Sequence, residues 1–211
     1  MRKLHFFDRL IAEVEHGLAS MTEQFQESVP SPGKIPINPE LTSQEIRVSQ
    51  GLMRVNHTGE ICAQALYRGQ ALATQDLSLR THLHEAAREE VDHLLWCGLR
   101  LEELNTFKSR LNPFWYLTSF LIGYCSARAG DGISLGFVEE TEQQVSRHLT
   151  SHQSILPQHD HKSRAIVDQM KRDEERHAAE AHDKGAEPLS GWMKRLMALQ
   201  AKVMTRTAYF L

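Results

Sequence analysis

Apolar positions along this 211-residue chain recur three and four residues apart, the spacing that gives a helix one apolar face. Residues 3–20 carry Leu4, Phe7, Ile11 and Val14 on that repeat and predict a first helix, suited to pack on the domain or to lie on a surface. Pro30, Pro32, Pro36 and Pro39 then predict an irregular arm. Thr42 and Glu45 fit a capping box at the start of the next helix, which runs through IRVSQGLMRVNHTGEICAQALYRGQALA. Gly51 and Gly59 each lower its helicity by about 1 kcal/mol relative to Ala, so they mark close packing or a bend. The small Ala63 and Ala65 suit a closely approaching neighbour.

A second core helix is expected from Ser78 to about Asn105, with Leu83, Ala86, Val91, Leu94, Leu95, Leu99 and Leu101 as its apolar positions. After a turn at Asn112 and Pro113, the 17 residues from Leu111 to Ala127 carry no charged side chain. That is short of the roughly 20 residues a membrane span needs. Two readings stand for it, a buried bundle helix and a membrane-facing one. Gly130, Asp131 and Gly132 break the pattern, and helices follow over 133–156 and 159–184, stopped by Pro157 and by Gly185 and Pro188. In the last stretch Trp192, Leu196, Leu199 and Val203 make an apolar stripe among Lys194, Arg195, Lys202 and Arg206. Such a basic amphipathic helix either binds a bilayer surface or packs with a solvated basic face. The elements predict an all-α protein in three parts: an N-terminal helix and proline-rich arm over 1–41, a helical body over 42–188 and a terminal basic helix over 189–211.

Composition narrows the function. Hydrophobic residues at 41% against 24% charged describe a globular chain, not a disordered one. A formal charge of -3 excludes the broad basic footprint of a nucleic-acid binder. Cys62, Cys97 and Cys125 are odd in number and widely spaced, which fits a reduced compartment and no zinc motif, and each is expected to pack as a small apolar residue. The charged, amphipathic N-terminus lacks the apolar core of a cleavable signal.

The chemistry lies in a repeated pattern of glutamate and histidine. Glu90 and His93 stand three apart, as do Glu174 and His177, so each pair shares one helical face. Glu60 precedes Glu90 by 30 residues, and Glu142 precedes Glu174 by 32. One glutamate from each of two helices and a Glu-x-x-His from each of two others is the ligand set of a two-metal carboxylate bundle. The near-equal spacings predict two similar helical hairpins joined by the apolar segment. Carboxylate and imidazole suit iron, and four ionised glutamates balance two Fe(II) ions, whereas four buried acids without metal carry a severe electrostatic cost. Alternatives stay open at each position. Glu139 and Glu140 compete with Glu142, and Glu175 competes with Glu174, although only Glu174 has the three-residue spacing to His177. Glu89 and Asp92 fit a solvated charged face beside Glu90. His57, His148 and Asp173 are candidates for hydrogen-bonding the ligands from outside, with Asp173 directed at an imidazole such as His93. His57 is also open as a ligand, and Tyr67 as a redox-adjacent or a core residue.

On the motifs RVNHTGE at 54–60, YRGQ at 67–70, EEVDHL at 89–94, ETEQQVSRHL at 140–149 and RDEERHA at 172–178, the chain resembles the Coq7 family of demethoxyubiquinone hydroxylases. This is a membrane-associated branch of the ferritin-like di-iron proteins, and the likeness covers about 45–185. It implies a ferritin-like four-helix bundle with additional apolar and terminal amphipathic helices. It also implies two iron ions per chain, with Glu60, Glu90 and His93 on one half, Glu142, Glu174 and His177 on the other, and Glu90 and Glu174 bridging. His57 and His148 match family positions outside the ligands. Leu149 stands where some members have Tyr, so a role for that hydroxyl does not carry over.

The implied reaction is O2-dependent hydroxylation of the ring of a polyprenylated demethoxybenzoquinol in ubiquinone biosynthesis. The electron sources it leaves open are a protein partner, the quinol itself or a nicotinamide donor such as NADH, since the chain has no nicotinamide or flavin fingerprint of its own. Peripheral association with the cytoplasmic face of a bacterial inner membrane and contact with other ubiquinone-biosynthesis proteins follow from the same resemblance. Competing functions are ferritin-like iron oxidation, a di-iron oxidase of another lipid, and a metal-free quinone-binding scaffold.

Overall fold

Side chains at the helix ends set the boundaries of the elements. In the computed structural model, which describes residues 6–36 and 39–211, seven α-helices follow one another. They are α1 (Phe6–Thr22), α2 (Ser43–Ala73), α3 (Leu77–Glu103), α4 (Asn112–Ala129), α5 (Asp131–Ile155), α6 (His161–Asp183) and α7 (Gly191–Phe210). Leu4 lies outside the described residues. The expected capping box starts α2: Thr42 accepts from the Glu45 amide while the Glu45 carboxylate accepts from that of Thr42. Asp76 accepts from the amides of Ser78 and Leu79 at the head of α3, and Asp160 from that of Ser163 near the head of α6. Asp160 also takes the guanidinium of the buried Arg100 at 2.9 Å, pinning α3 to that cap. Gly130 turns the chain between α4 and α5 at φ +139°, a conformation that favours glycine.

α2 and α3 form one antiparallel hairpin and α5 and α6 a second, and the two associate as a four-helix bundle. Two apolar clusters fill it. One contains Met53, Trp96, Cys97, Leu101, Leu149, Val167 and Met170. The other contains Ala63, Tyr67, Leu83, Ala87, Val138 and Ala181. Each fully buried large side chain stabilises the fold by about 1.5–3 kcal/mol. On every bundle helix the glutamate or Glu-x-x-His of the repeated pattern falls between a residue of the first cluster and one of the second. A polar layer is thereby held between two apolar plugs. Tyr67 packs in the second plug, as a core residue. Leu99 departs from expectation: it faces outward and is 44% exposed.

The apolar segment α4 lies against α2 on a seam of small residues. A Cβ at Gly69 would stand 2.1 Å from the Phe120 carbonyl oxygen, and one at Gly123 2.1 Å from that of Leu66. The helices therefore meet backbone to backbone. Gly51 does pack closely, against the Tyr209 ring of α7, but a Cβ at Gly59 would meet nothing within 4 Å, and α2 runs through both without a break. The buried reading of α4 holds for one face only. Trp115, Ser119 and Gly123 are buried, while Phe114, Leu117 and Leu121 are exposed.

The same division holds on either side of α4. α1 exposes Phe7, Ile11, Val14 and Leu18, and α7 exposes Trp192, Leu196, Leu199 and Val203. The apolar stripe of the terminal helix thus stays uncovered, with Trp192 and Leu196 on the wall of a groove against α4. Of the cysteines, Cys97 is core, Cys62 half-buried and Cys125 exposed, the last against expectation. Among the described residues no helix is long and apolar enough to cross a membrane.

Candidate metal centre

Four bundle helices bring the six residues of the pattern into one buried layer: Glu60 from α2, Glu90 and His93 from α3, Glu142 from α5, and Glu174 and His177 from α6. Their ligand atoms form two groups, each within 4.8 Å: Glu60, Glu90, His93 and Glu174, and Glu90, Glu142, Glu174 and His177. Glu90 and Glu174 belong to both.

Both imidazoles turn the same edge inward. His93 Nδ1 lies 2.9 Å from Glu90 Oε2 and 3.3 Å from Glu174 Oε1. His177 Nδ1 lies 3.2 Å from Glu90 Oε1 and 3.3 Å from Glu174 Oε2. Each Nε2 points out to a carboxylate on the opposite hairpin: His93 to Asp173 Oδ2 at 3.2 Å, and His177 to Glu89 Oε2 at 2.9 Å. An Nε2–H donating to a carboxylate leaves Nδ1 with its lone pair directed at the cluster, the orientation of a metal-binding imidazole.

The electrostatics fit two divalent cations. Burial, with the charges of Glu174 and Glu90 added, pushes the Glu60 carboxyl well above the usual range. Burial and the neighbouring Glu174 do the same to Glu142. Burial also works against ionisation of Glu90, but its contacts with His177 and His93 outweigh that and hold it below the usual range. Burial disfavours a charge on His93 and His177, yet the surrounding carboxylates raise both far above a free imidazole. Protons thus compensate the crowded acids, and cations would replace them at the same atoms. Glu142 Oε1 is buried with no hydrogen-bond partner, as expected of an oxygen suited to a cation.

The competing residues fall elsewhere. Glu139 approaches His182, Glu140 pairs with Lys194 and Arg147, and Glu175 pairs with Lys171. Asp92 accepts from the amides of Ser28 and Val29 and so holds the proline-rich arm against α3. His57 is buried outside both groups. Its Nε2 meets Glu23 at 2.7 Å, its Nδ1 faces the Asn112 amide, and burial lowers its pKa despite Glu23. It therefore ties the end of α1 to α2 and α4. His148 lines an apolar cavity. Glu89, read as a solvated face from sequence, is the partner of His177; the available signal was the acid directly before each Glu-x-x-His, Glu89 in one hairpin and Asp173 in the other.

Two approaches flank the layer. On the α2 and α5 side, Gly59, Cys62, Leu66, Thr141, Gln144 and His148 line a cavity of about 110 Å³ beneath Met197 and Met204 of α7. An apolar groove of about 340 Å³ between α4 and α7 shares Ile122, Phe137, Met197 and Gln200 with it. On the α3 and α6 side a polar mouth of about 550 Å³ reaches His93, with Glu89, Asp173 and Arg176 in its wall.

Residues 47–208 match the family model described as ubiquinone biosynthesis protein COQ7. The chain belongs to this family. COQ7-family relatives named 3-demethoxyubiquinol 3-hydroxylase, from Francisella tularensis subsp. novicida (strain U112) and subsp. tularensis (strain SCHU S4 / Schu 4), are each 49% identical over 209 residues, 99% of both chains. A third, from subsp. holarctica (strain LVS), is 48% identical over the same length. The all-α bundle and its two Glu/His groups are the architecture that the Coq7 resemblance implies.

Proposed function

We infer that the chain is a di-iron monooxygenase that hydroxylates the ring of a demethoxyubiquinol in ubiquinone biosynthesis. The observation that carries this is the pair of buried Glu/His groups sharing Glu90 and Glu174, in a member of a family whose relatives bear that activity in their names. Glu60, Glu90 and His93 would hold one iron and Glu142, Glu174 and His177 the other, with Glu90 and Glu174 between them. Two Fe(II) ions bound there supply the electrons and the Lewis acidity that O2 activation needs.

The protein's part is to hold, orient and exclude. The apolar plugs keep bulk water from the carboxylate layer. Asp173 and Glu89 fix the imidazole orientation. The groove between α4 and α7 suits a polyprenyl tail, and the smaller cavity suits the ring, with His148 and Gln144 among the few polar groups of a mainly apolar wall. His148 loses basicity through burial and the nearby Arg147, so it faces the ring position as a neutral hydrogen-bonding group.

In the balanced reaction, one oxygen atom of O2 enters the ring and the other leaves as water, with two electrons from a reductant and two protons consumed. NADH, a protein partner and the substrate quinol itself are the donors to compare. The decisive experiment is anaerobic loading with Fe(II), then O2 and a demethoxyubiquinol with a defined reductant. Hydroxylated product in proportion to bound iron is expected; product from iron-free protein would end the di-iron reading. Turnover of another lipid alone would end the substrate assignment.

The exposed apolar faces of α1, α4 and α7, with Arg195, Lys202 and Arg206 on α7, support peripheral association with an anionic bilayer. Three free cysteines favour its cytoplasmic face. Removing residues 189–211 would also remove Tyr209 from Gly51, so point changes test the idea more cleanly. Replacing Trp192, Leu196 and Leu199 together by serine is expected to lower partitioning onto vesicles of anionic lipid at least tenfold. Unchanged partitioning would show that α7 is not the contact.

A further inference from the structure

The two hairpins support each other's histidines. Asp173, directly before Glu174 on α6, receives His93 of α3, and Glu89, directly before Glu90 on α3, receives His177 of α6. The exchange is symmetric, but what stands behind the two acids is not. Two residues after Glu174 comes Arg176; the matching position after Glu90 is Asp92, which holds the proline-rich arm instead.

Arg176 Nη2 donates to Glu89 Oε2 at 2.7 Å, the same oxygen that His177 Nε2 meets. The 3.3 Å approach of Nη2 to His177 Nε2 is therefore that of two donors around a common acceptor, not a bond between them. Its other arm, Nη1, donates to Glu180 at 3.0 Å, and Asp173 Oδ1 lies 3.7 Å from Nη2, an ion-pair contact. Asp173 has a separate donor in Gln169, at 3.0 Å. One guanidinium on α6 thus meets the carboxylates that receive both histidines, firmly on the His177 side and loosely on the His93 side.

Arg176 and Glu89 are each nearly half exposed, and an exposed ion pair adds about 0–1 kcal/mol to stability. A role in folding is a poor account of them. Orientation is a better one, because a planar guanidinium with one arm held by Glu180 presents the other to Glu89 in a fixed direction.

Resting on the di-iron reading above, we propose that Arg176 is a positioning residue of the metal centre. Through Glu89 it sets the ring plane and Nε2–H tautomer of His177, and through Asp173 it makes a weaker contribution to His93. The two halves of the centre are thereby unequal, with the His177 half more dependent on Arg176.

The test uses the full chain loaded anaerobically with ⁵⁷Fe(II). Mössbauer spectra distinguish the two ferrous sites, and competition with a chromophoric chelator gives their affinities. E89Q and D173N assign the His177 and His93 signals by perturbing one each. R176Q is expected to weaken iron at the His177 half by roughly 10-fold or more, in the range lost with an outer-shell partner, to shift that site's quadrupole splitting, and to weaken the other half only a few-fold. Apo R176Q should unfold at the wild-type temperature. R176K retains the charge without the fork and should not restore the wild-type splitting.

Wild-type affinities and splittings in R176Q would overturn the proposal, as would full restoration by R176K, which would reduce Arg176 to a point charge. Equal losses at both sites would also overturn it. If R176Q unfolds early, the R176K spectrum decides on the same criterion. Wild-type protein that takes up no iron would instead sink the di-iron reading itself.

Discussion

Glu90→Ala is expected to reduce iron loading from two ions per chain to less than one and to lower hydroxylation at least 1,000-fold, about an order of magnitude beyond what losing an outer-shell partner costs. Glu90 is completely buried, and its two oxygens face different histidines, Oε2 toward His93 and Oε1 toward His177. Removing it takes a donor from both groups at once, so neither half of the centre is left whole. Glu175→Ala is the matched control: that carboxylate is exposed, pairs with Lys171 on the surface and should leave iron content and rate unchanged. Iron per chain by metal analysis and product per iron by chromatography decide the outcome. A Glu90→Ala protein that retains two irons and full rate would show that the shared carboxylate is not a ligand.

Gly123→Val is expected to destabilise the protein by about 3 kcal/mol or more, through overpacking that relaxation cannot relieve. The atom in the way is the Leu66 carbonyl oxygen, part of the α2 backbone, so no rotamer change makes room. Gly69→Val meets Phe120 in the same way from the other helix. Because Ser119 and Ile122 of α4 line the apolar cavity, the displaced helix should also raise KM for the quinol more than it lowers kcat. Gly59→Ala gives the opposite sign. Its Cβ would meet nothing, and the gain in helix propensity is up to about 1 kcal/mol. Thermal and urea unfolding of the three variants test this; a Gly123→Val protein as stable as wild type would show that α2 and α4 can separate without loss.

The bundle helices and the glutamate-histidine layer were legible because both follow local rules. A three-residue spacing puts Glu90 with His93, and Glu174 with His177, on one face wherever the helix lies. Thr42 and Glu45 cap within four residues of chain. Local rules say nothing of what stands opposite. Glu89 and Asp92 look alike on the sequence, yet one receives a histidine 88 residues away and the other holds the arm at Ser28. His57 sits in a family motif beside Glu60, and its partner is Glu23, across 34 residues. Leu99 fits the apolar repeat of α3 and still faces outward, because the bundle covers only one sector of the helix.

The order of helices, the paired Glu-x-x-His motifs and the four-glutamate charge balance were determined by the sequence alone, since each depends on spacing along one helix or on a count of charges. Tertiary structure placed Glu90 and Glu174 in both groups, as the family resemblance implied, and it alone decided that Glu89 receives His177 as Asp173 receives His93, and that the faces of α1, α4 and α7 remain apolar and uncovered. These depend on which side chains meet across helices, and that is set by backbone approach, as at Gly69 and Gly123, rather than by periodicity.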